Sequence, residues 1–304
     1  MSDDKLCYLS QARGFQEPDR DGVDAPEKAH AVVIPFGLEA SVSYGSGTRR
    51  GPAAILAASQ QLELFDEELW REPYKEFGIA TVVEPDVAGS VDAALDQLDG
   101  IVDTVLAQGR FPLILGGEHS ITAGAIRPFA RRYDEIVVLQ IDAHADLRDG
   151  YLGEHNSHAS AMRRVLDHAN CRVVSFGIRA LSQPEADYID ANPDRVEIYW
   201  AHQQRQWDLD ELAATLKDAK IYVTFDIDGL DNAEMPATGT PTPGGLSYFA
   251  ALDILKVAAN AGKIVGADVV ELSPIDGFHG YDYTAAAIAN KILNYALAGT
   301  GPKQ

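Results

Sequence analysis

Apolar residues fall into short continuous runs along this chain, each bounded by polar or glycine-rich segments. Runs with the length and composition of buried strands are AVVIP (31–35), FPLIL (111–115), EIVVLQID (135–142), RVVSFG (172–177), VEIYW (196–200), IYVTFD (221–226) and IVGADVVEL (264–272). Helical patterns lie between them: GPAAILAASQQLELFDEELW (51–70), VDAALDQLDGIVDTVLAQG (91–109), LDELAATLKDA (209–219) and TAAAIANKILNYALAG (284–299). Pro52 suits a first helical turn and Gly109 a helix end. Continuous apolar strands separated by helices predict a parallel sheet covered on both faces. No internal repeat and no Pro/Gly/Ser-rich linker divides the chain. Residues 30–304 are therefore expected to form one α/β domain, preceded by a polar arm at 1–29.

Composition narrows the function classes. The 304 residues are 46% hydrophobic and 23% charged, ordinary for a globular protein. No stretch reaches the roughly 18 apolar residues of a membrane span, and the start MSDDKLCYLSQARG is too polar for a signal peptide. With Cys7 and Cys171 alone, no disulfide framework is expected and a reducing cytoplasm is the default location. The net charge of −21 argues against nucleic acid and against anionic membranes as partners.

In open parallel sheets, ligands bind beyond the carboxyl ends of the strands. Polar clusters follow three of the runs directly: GGEHS after FPLIL, DAHAD after IVVLQI, and DIDGLD after IYVTF. Taken singly, each cluster would pass for a turn or a helix cap, with Ser120 as the cap in GGEHS. Together they gather His119, Asp142, His144, Asp146, Asp226 and Asp228 with no cysteine nearby, a donor set suited to Mn, Fe or Mg. Alternate residues of an extended segment lie about 6.6 Å apart. The chain must therefore curl after Asp142, which Ala143 and Ala145 leave room for, if its side chains are to converge on ions about 3.5 Å apart. Two divalent ions would balance the four aspartates, which would otherwise be costly to bury.

These clusters, with SYGSGTRRGPAAI (43–55), SHAS (157–160), PATGTPTPGG (236–245) and VVELSP (269–274), resemble the ureohydrolase family of arginases and agmatinases over about residues 30–298. The resemblance implies a three-layer α/β/α sandwich with a mostly parallel central sheet, assembled as a homotrimer or homohexamer. It also implies two Mn²⁺ per chain. Asp142 and Asp226 would bridge them, His119 and Asp146 would complete one site, and His144 and Asp228 the other. A water shared by two such ions becomes a nucleophile near neutral pH. The resemblance gives proton delivery to Asp146, proton shuttling to His158 rather than its neighbour His155, and the substrate guanidinium to Glu271.

The substrate's tail is less constrained. Arginases typically carry Asn where this chain has Arg148, so agmatinase-like members are the nearer match. Agmatine ends in an ammonium group, so Arg148 at the pocket would need a neutralising acid, expected to be Asp149 or Glu154. An unpaired Arg148 would instead suit a carboxylate tail such as that of guanidinobutyrate. Guanidinopropionate, guanidine and arginine are further alternatives with the same chemistry. Asn232 and Ala237 depart from the frequent Pro and Gly of the family loop. A deacetylase-like amide hydrolase with one metal, or a non-catalytic metal-binding protein, would be the readings of another class.

Overall fold

The computed structural model describes residues 6–16 and 25–303. Eight strands form one sheet: β1 (Ala31–Phe36), β2 (Ile79–Thr81), β3 (Phe111–Gly116), β4 (Ile136–Ile141), β5 (Cys171–Ile178), β6 (Val196–Trp200), β7 (Lys220–Asp226) and β8 (Lys263–Val270). Every pairing is parallel, and the spatial order is β2-β1-β3-β8-β7-β4-β5-β6. Successive side chains of a strand point to opposite faces, and here both faces are apolar. Leu113, Leu139 and Val223 join a core with the helices Tyr248–Ala261 and His279–Leu297. Ile114, Val138 and Tyr222 join a second core with Val91–Ala107 and Arg127–Arg132. The result is the expected three layers.

The strand order positions the site. After β3 the chain skips two places to lay down β4, β5 and β6, then returns to insert β7 and β8 between β3 and β4. The four central strands therefore end side by side, although they are far apart in sequence.

The elements differ from expectation where side chains compete for the backbone. The helix expected over 51–70 stops at Ser59. Beyond it, the Asp66 carboxylate accepts from the amides of Glu68 and Leu69, both at 2.9 Å, and folds the segment into a turn. The last strand ends at Val270 rather than Leu272, because Glu271 turns into the left-handed region with φ +64. The three-residue edge strand β2 and the helix Tyr248–Ala261, capped by Ser247, were not resolved in the hydrophobic pattern. Of the polar arm, residues 1–5 and 17–24 lie outside the described residues. Its described part docks on the sheet edge: Leu9 donates to Thr81, and Phe15 is fully buried.

Lys291 on the last helix is buried and reaches Asp66 at 3.1 Å, Glu67 at 3.1 Å and Glu68 at 3.2 Å. Removing it would leave the buried Asp66 carboxylate without its cation. Lys291→Ala is expected to lower unfolding stability by about 3 kcal/mol, measured by urea denaturation. Arg50→Ala, which breaks an exposed pair with Asp276, should change it by less than about 1 kcal/mol.

Candidate metal centre

The polar clusters meet at the carboxyl ends of β3, β8, β7 and β4. Two glycines permit the approach: a Cβ at Gly117 would lie 1.9 Å from the Leu38 carbonyl, and one at Gly229 would lie 2.8 Å from the Asp142 amide. His119 and the four aspartates are buried, while His144 is partly open. The curl expected after Asp142 is present, with Asp146 held at φ +52. A non-glycine residue in that region is strained and persists only where its surroundings impose it.

His119 Nδ1 lies 3.1 Å from Asp142, 3.0 Å from Asp146 and 3.2 Å from Asp226, in each case from Oδ2. His144 Nδ1 lies 3.1 Å from Asp228 Oδ2 and 3.6 Å from Asp142 Oδ1. The two oxygens of Asp142 thus face different histidines. Two ligand groups result, His119/Asp142/Asp146 and Asp142/His144/Asp228, each with donor atoms within 4.8 Å of one another. His119 Nδ1 is buried and meets no hydrogen-bond donor, only carboxylate oxygens. An acceptor among acceptors needs a cation or a proton between them, so the donor set fits divalent metal. Backbone and side-chain donors hold the carboxylates in place: Gln140 and the His144 amide on Asp142, the Ala143 amide on Asp228, and the Asp228 amide on Asp226.

Without cations, protons accumulate here. Burial alone would lower His119, but hydrogen bonds to Asp142, Asp146 and Asp226 raise it well above its ordinary value. Burial likewise opposes His144, yet the charge of Asp228 and bonds to Asp142 and Asp228 push it up to about 12. Asp226 is raised by burial and by repulsion from Asp228 and Asp142, and Asp146 by burial and by Asp142. Asp142 goes the other way despite its burial, held low by His119 and His144.

A cavity of about 300 Å³ opens over these groups and is lined by Glu271, His158, Arg148, Tyr151, Glu185 and Ser43, among others. Glu271 accepts the His119 amide at 2.7 Å. Burial pushes its carboxyl up, against that bond and with help from the charge of Glu118, to about 8. His158 is half-buried, its Nδ1 3.3 Å from the Ser41 hydroxyl and its ring edge-on to Tyr151. His155 instead contacts Arg164.

Arg148 faces the cavity, but its neutralising partner is not the one expected. Asp149 is taken by Arg164 at 2.6 Å, and Glu154 accepts the Asn156 amide. Glu185 stands 3.7 Å from Arg148 Nε, and the guanidinium lies 4.6 Å over the Tyr151 ring. Ser120 sits at its helix start without capping it; its hydroxyl goes to Glu118.

Two contributors had no role assigned from the sequence: Glu118, although it lies inside GGEHS, and Arg179, which lies outside every motif. Buried Glu118 accepts from the amides of Ala40 and Ser41 and from the hydroxyls of Ser41 and Ser120, tying the segment after β1 to the site. Arg179 ties down the loop over 228–246, donating to the carbonyls of Asp228, Leu230 and Thr242. That loop is neither helix nor strand beyond a short 3₁₀ turn at its start, as its prolines and glycines predict. Ala237 lies outside the left-handed region and so needs no glycine there.

Cation uptake must displace the protons on His119, His144 and Asp226, so apparent affinity for divalent ions should rise with pH. Calorimetric titration in buffers of different ionisation enthalpy should report net proton release. Linkage gives a second outcome. A group raised on folding stabilises most below its unfolded value, near 6.5 for His144, and that stabilisation is lost as pH rises toward about 12. Asp142, already ionised there, adds no change. The metal-free chain should therefore lose stability across this range, and the loaded chain much less of it.

The arginase family model matches residues 29–298. An N(1)-aminopropylagmatine ureohydrolase of Synechocystis sp. is 36% identical over 300 residues, covering 95% of this chain and 95% of that protein. An agmatinase of Bacillus anthracis is 34% identical over 277 residues, covering 90% and 92%. Among solved structures, the agmatine ureohydrolase of Thermoplasma volcanium matches with a TM-score of 0.80 at 28% identity, over 95% of this chain and 94% of that one.

Proposed function

The chain belongs to the arginase family, and from that premise we propose that it hydrolyses the guanidino group of agmatine to urea and putrescine, using two Mn²⁺. His119, Asp142, Asp146 and Asp226 would hold one ion, and Asp142, Asp226, His144 and Asp228 the other. When bound, the pair supplies Lewis acidity that activates water as a nucleophile.

The remaining steps belong to the chain's own residues. Water adds to the guanidinium carbon, the bond from that carbon to the alkyl nitrogen breaks, and a proton must reach the departing amine. Asp146 would carry that proton, and His158, the more exposed of the two, would exchange it with solvent. Glu271 holds the guanidinium. Burial favours its protonated form while the site is empty, and a cationic substrate would favour ionisation and a charge-assisted bond.

The observation that carries the substrate reading is the pairing of Arg148. With Glu185 and Tyr151 beside it, the rim does not present a bare cation, so an amine tail is tolerated and a carboxylate gains little. The names of the similar proteins support the same class, and agmatine bearing an N(1)-aminopropyl group is the second substrate to test. A homotrimer or homohexamer in the cytoplasm is part of this reading.

Urea release by Mn²⁺-loaded protein should be measured on agmatine, N(1)-aminopropylagmatine, arginine, guanidinobutyrate, guanidinopropionate and guanidine. The two amine-tailed compounds should give the highest kcat/KM; preference for guanidinobutyrate would overturn the reading of Arg148. His119→Ala should remove one ion and most activity, and normal turnover at full metal content would contradict the assignment. Arg148→Ala should alter relative KM values by a few-fold, about 1 kcal/mol at most, with little change in kcat. An identical substrate panel would mean that Arg148 does not touch the tail.

A further inference from the structure

Beneath the metal centre lies a carboxylate that the reaction does not use. Asp268 is fully buried in the middle of β8, where the run IVGADVVEL would otherwise place an apolar side chain. Three hydroxyls surround it. Thr224 donates to Oδ1 at 2.6 Å, while Tyr222 and Thr122 donate to Oδ2 at 2.7 Å and 2.8 Å. A carboxylate receiving three O–H bonds is an acceptor throughout. Thr224 has one proton, and the short bond to Asp268 takes it. Its oxygen also lies 2.9 Å from His119 Nε2, where it can then act only as acceptor. Nε2 must therefore carry the hydrogen, and the lone pair is left on Nδ1. Nδ1 is the nitrogen that faces Asp142, Asp146 and Asp226.

We propose that Asp268, acting through Thr224, is a positioning residue that fixes His119 as the Nε2–H tautomer and thereby sets the affinity of the His119 side of the centre for its ion. The inference rests on the metal-centre reading above and extends it to residues outside the ligand set. Histidine ligands commonly need such a partner on the far nitrogen, and losing it costs about 10–100-fold in metal affinity. The direction of the relay matters as much as its presence. An asparagine at 268 can turn its NH₂ toward Thr224, which frees the threonine hydroxyl to donate to Nε2. His119 would then be protonated on Nδ1, against the ion.

The test is equilibrium dialysis of the full chain against Mn²⁺, with bound metal counted, for wild type, Thr224→Val, Thr224→Ser and Asp268→Asn. Valine keeps the shape of threonine and removes only the relay. The expected result is that Thr224→Val and Asp268→Asn weaken one ion per chain by about 10–100-fold and leave the other near wild type, with Thr224→Ser recovering the affinity. Should Asp268→Asn fail to fold, the Thr224→Val and Thr224→Ser pair decides. Undiminished affinity in Thr224→Val, with only a lower melting temperature, would overturn the proposal and make Asp268 a purely structural group. A wild-type chain that binds no Mn²⁺ would overturn the metal centre itself, which the wild-type arm alone reveals.

Discussion

Four aspartates and the Nδ1 atoms of two histidines converge in one largely buried volume, with acceptor facing acceptor. The rest of the molecule depends on how that arrangement is tolerated. Water cannot screen it, because Asp142, Asp226 and Asp228 are almost wholly inaccessible, and desolvated like charges repel strongly. Only positive charge placed among them offsets the cost. Protons do so poorly, as the raised histidines and the low Asp142 show. Divalent cations would do so while leaving every ligand deprotonated, which is the state in which a bound water becomes reactive.

The sheet topology makes the convergence geometrically feasible. Inserting β7 and β8 between β3 and β4 places the ends of four strands in one row, so ligands from distant segments need only short reaches. Backbone strain occurs at the same place. Asp146 and Glu271 are two of six non-glycine residues with positive φ among the described residues, and both belong to the site. Beneath them, hydroxyl and carboxylate groups of Thr122, Tyr222, Thr224 and Asp268 replace apolar packing, giving the floor a fixed hydrogen-bond polarity. The same principle operates beside the cavity, where Glu118 binds the Ser41 hydroxyl that in turn accepts the His158 amide.

The strands and the candidate metal-binding cluster were legible in the sequence because a buried parallel strand is a continuous apolar run, and acids directly after it are conspicuous. Nearly all of the sheet could be read that way. What was not legible depends on partners far away in the chain. Nothing near Asp66 marks it as the residue that holds the turn beyond the first helix, since its counter-ion Lys291 is on the last helix. Arg148 could be flagged by its place just after the second cluster, but its partner Glu185 lies in the first turn of a later helix, and nearer acids looked equally suitable. Glu118 and Asp268 had no role assigned from the sequence; only the fold shows the hydroxyls that surround them.

The most direct test is anomalous diffraction at the manganese edge from crystals grown with excess Mn²⁺. The account predicts two peaks per chain roughly 3.5 Å apart, one beside His119 and one beside His144, with Asp142 contacting both. A single peak, or peaks away from these two rings, would contradict it.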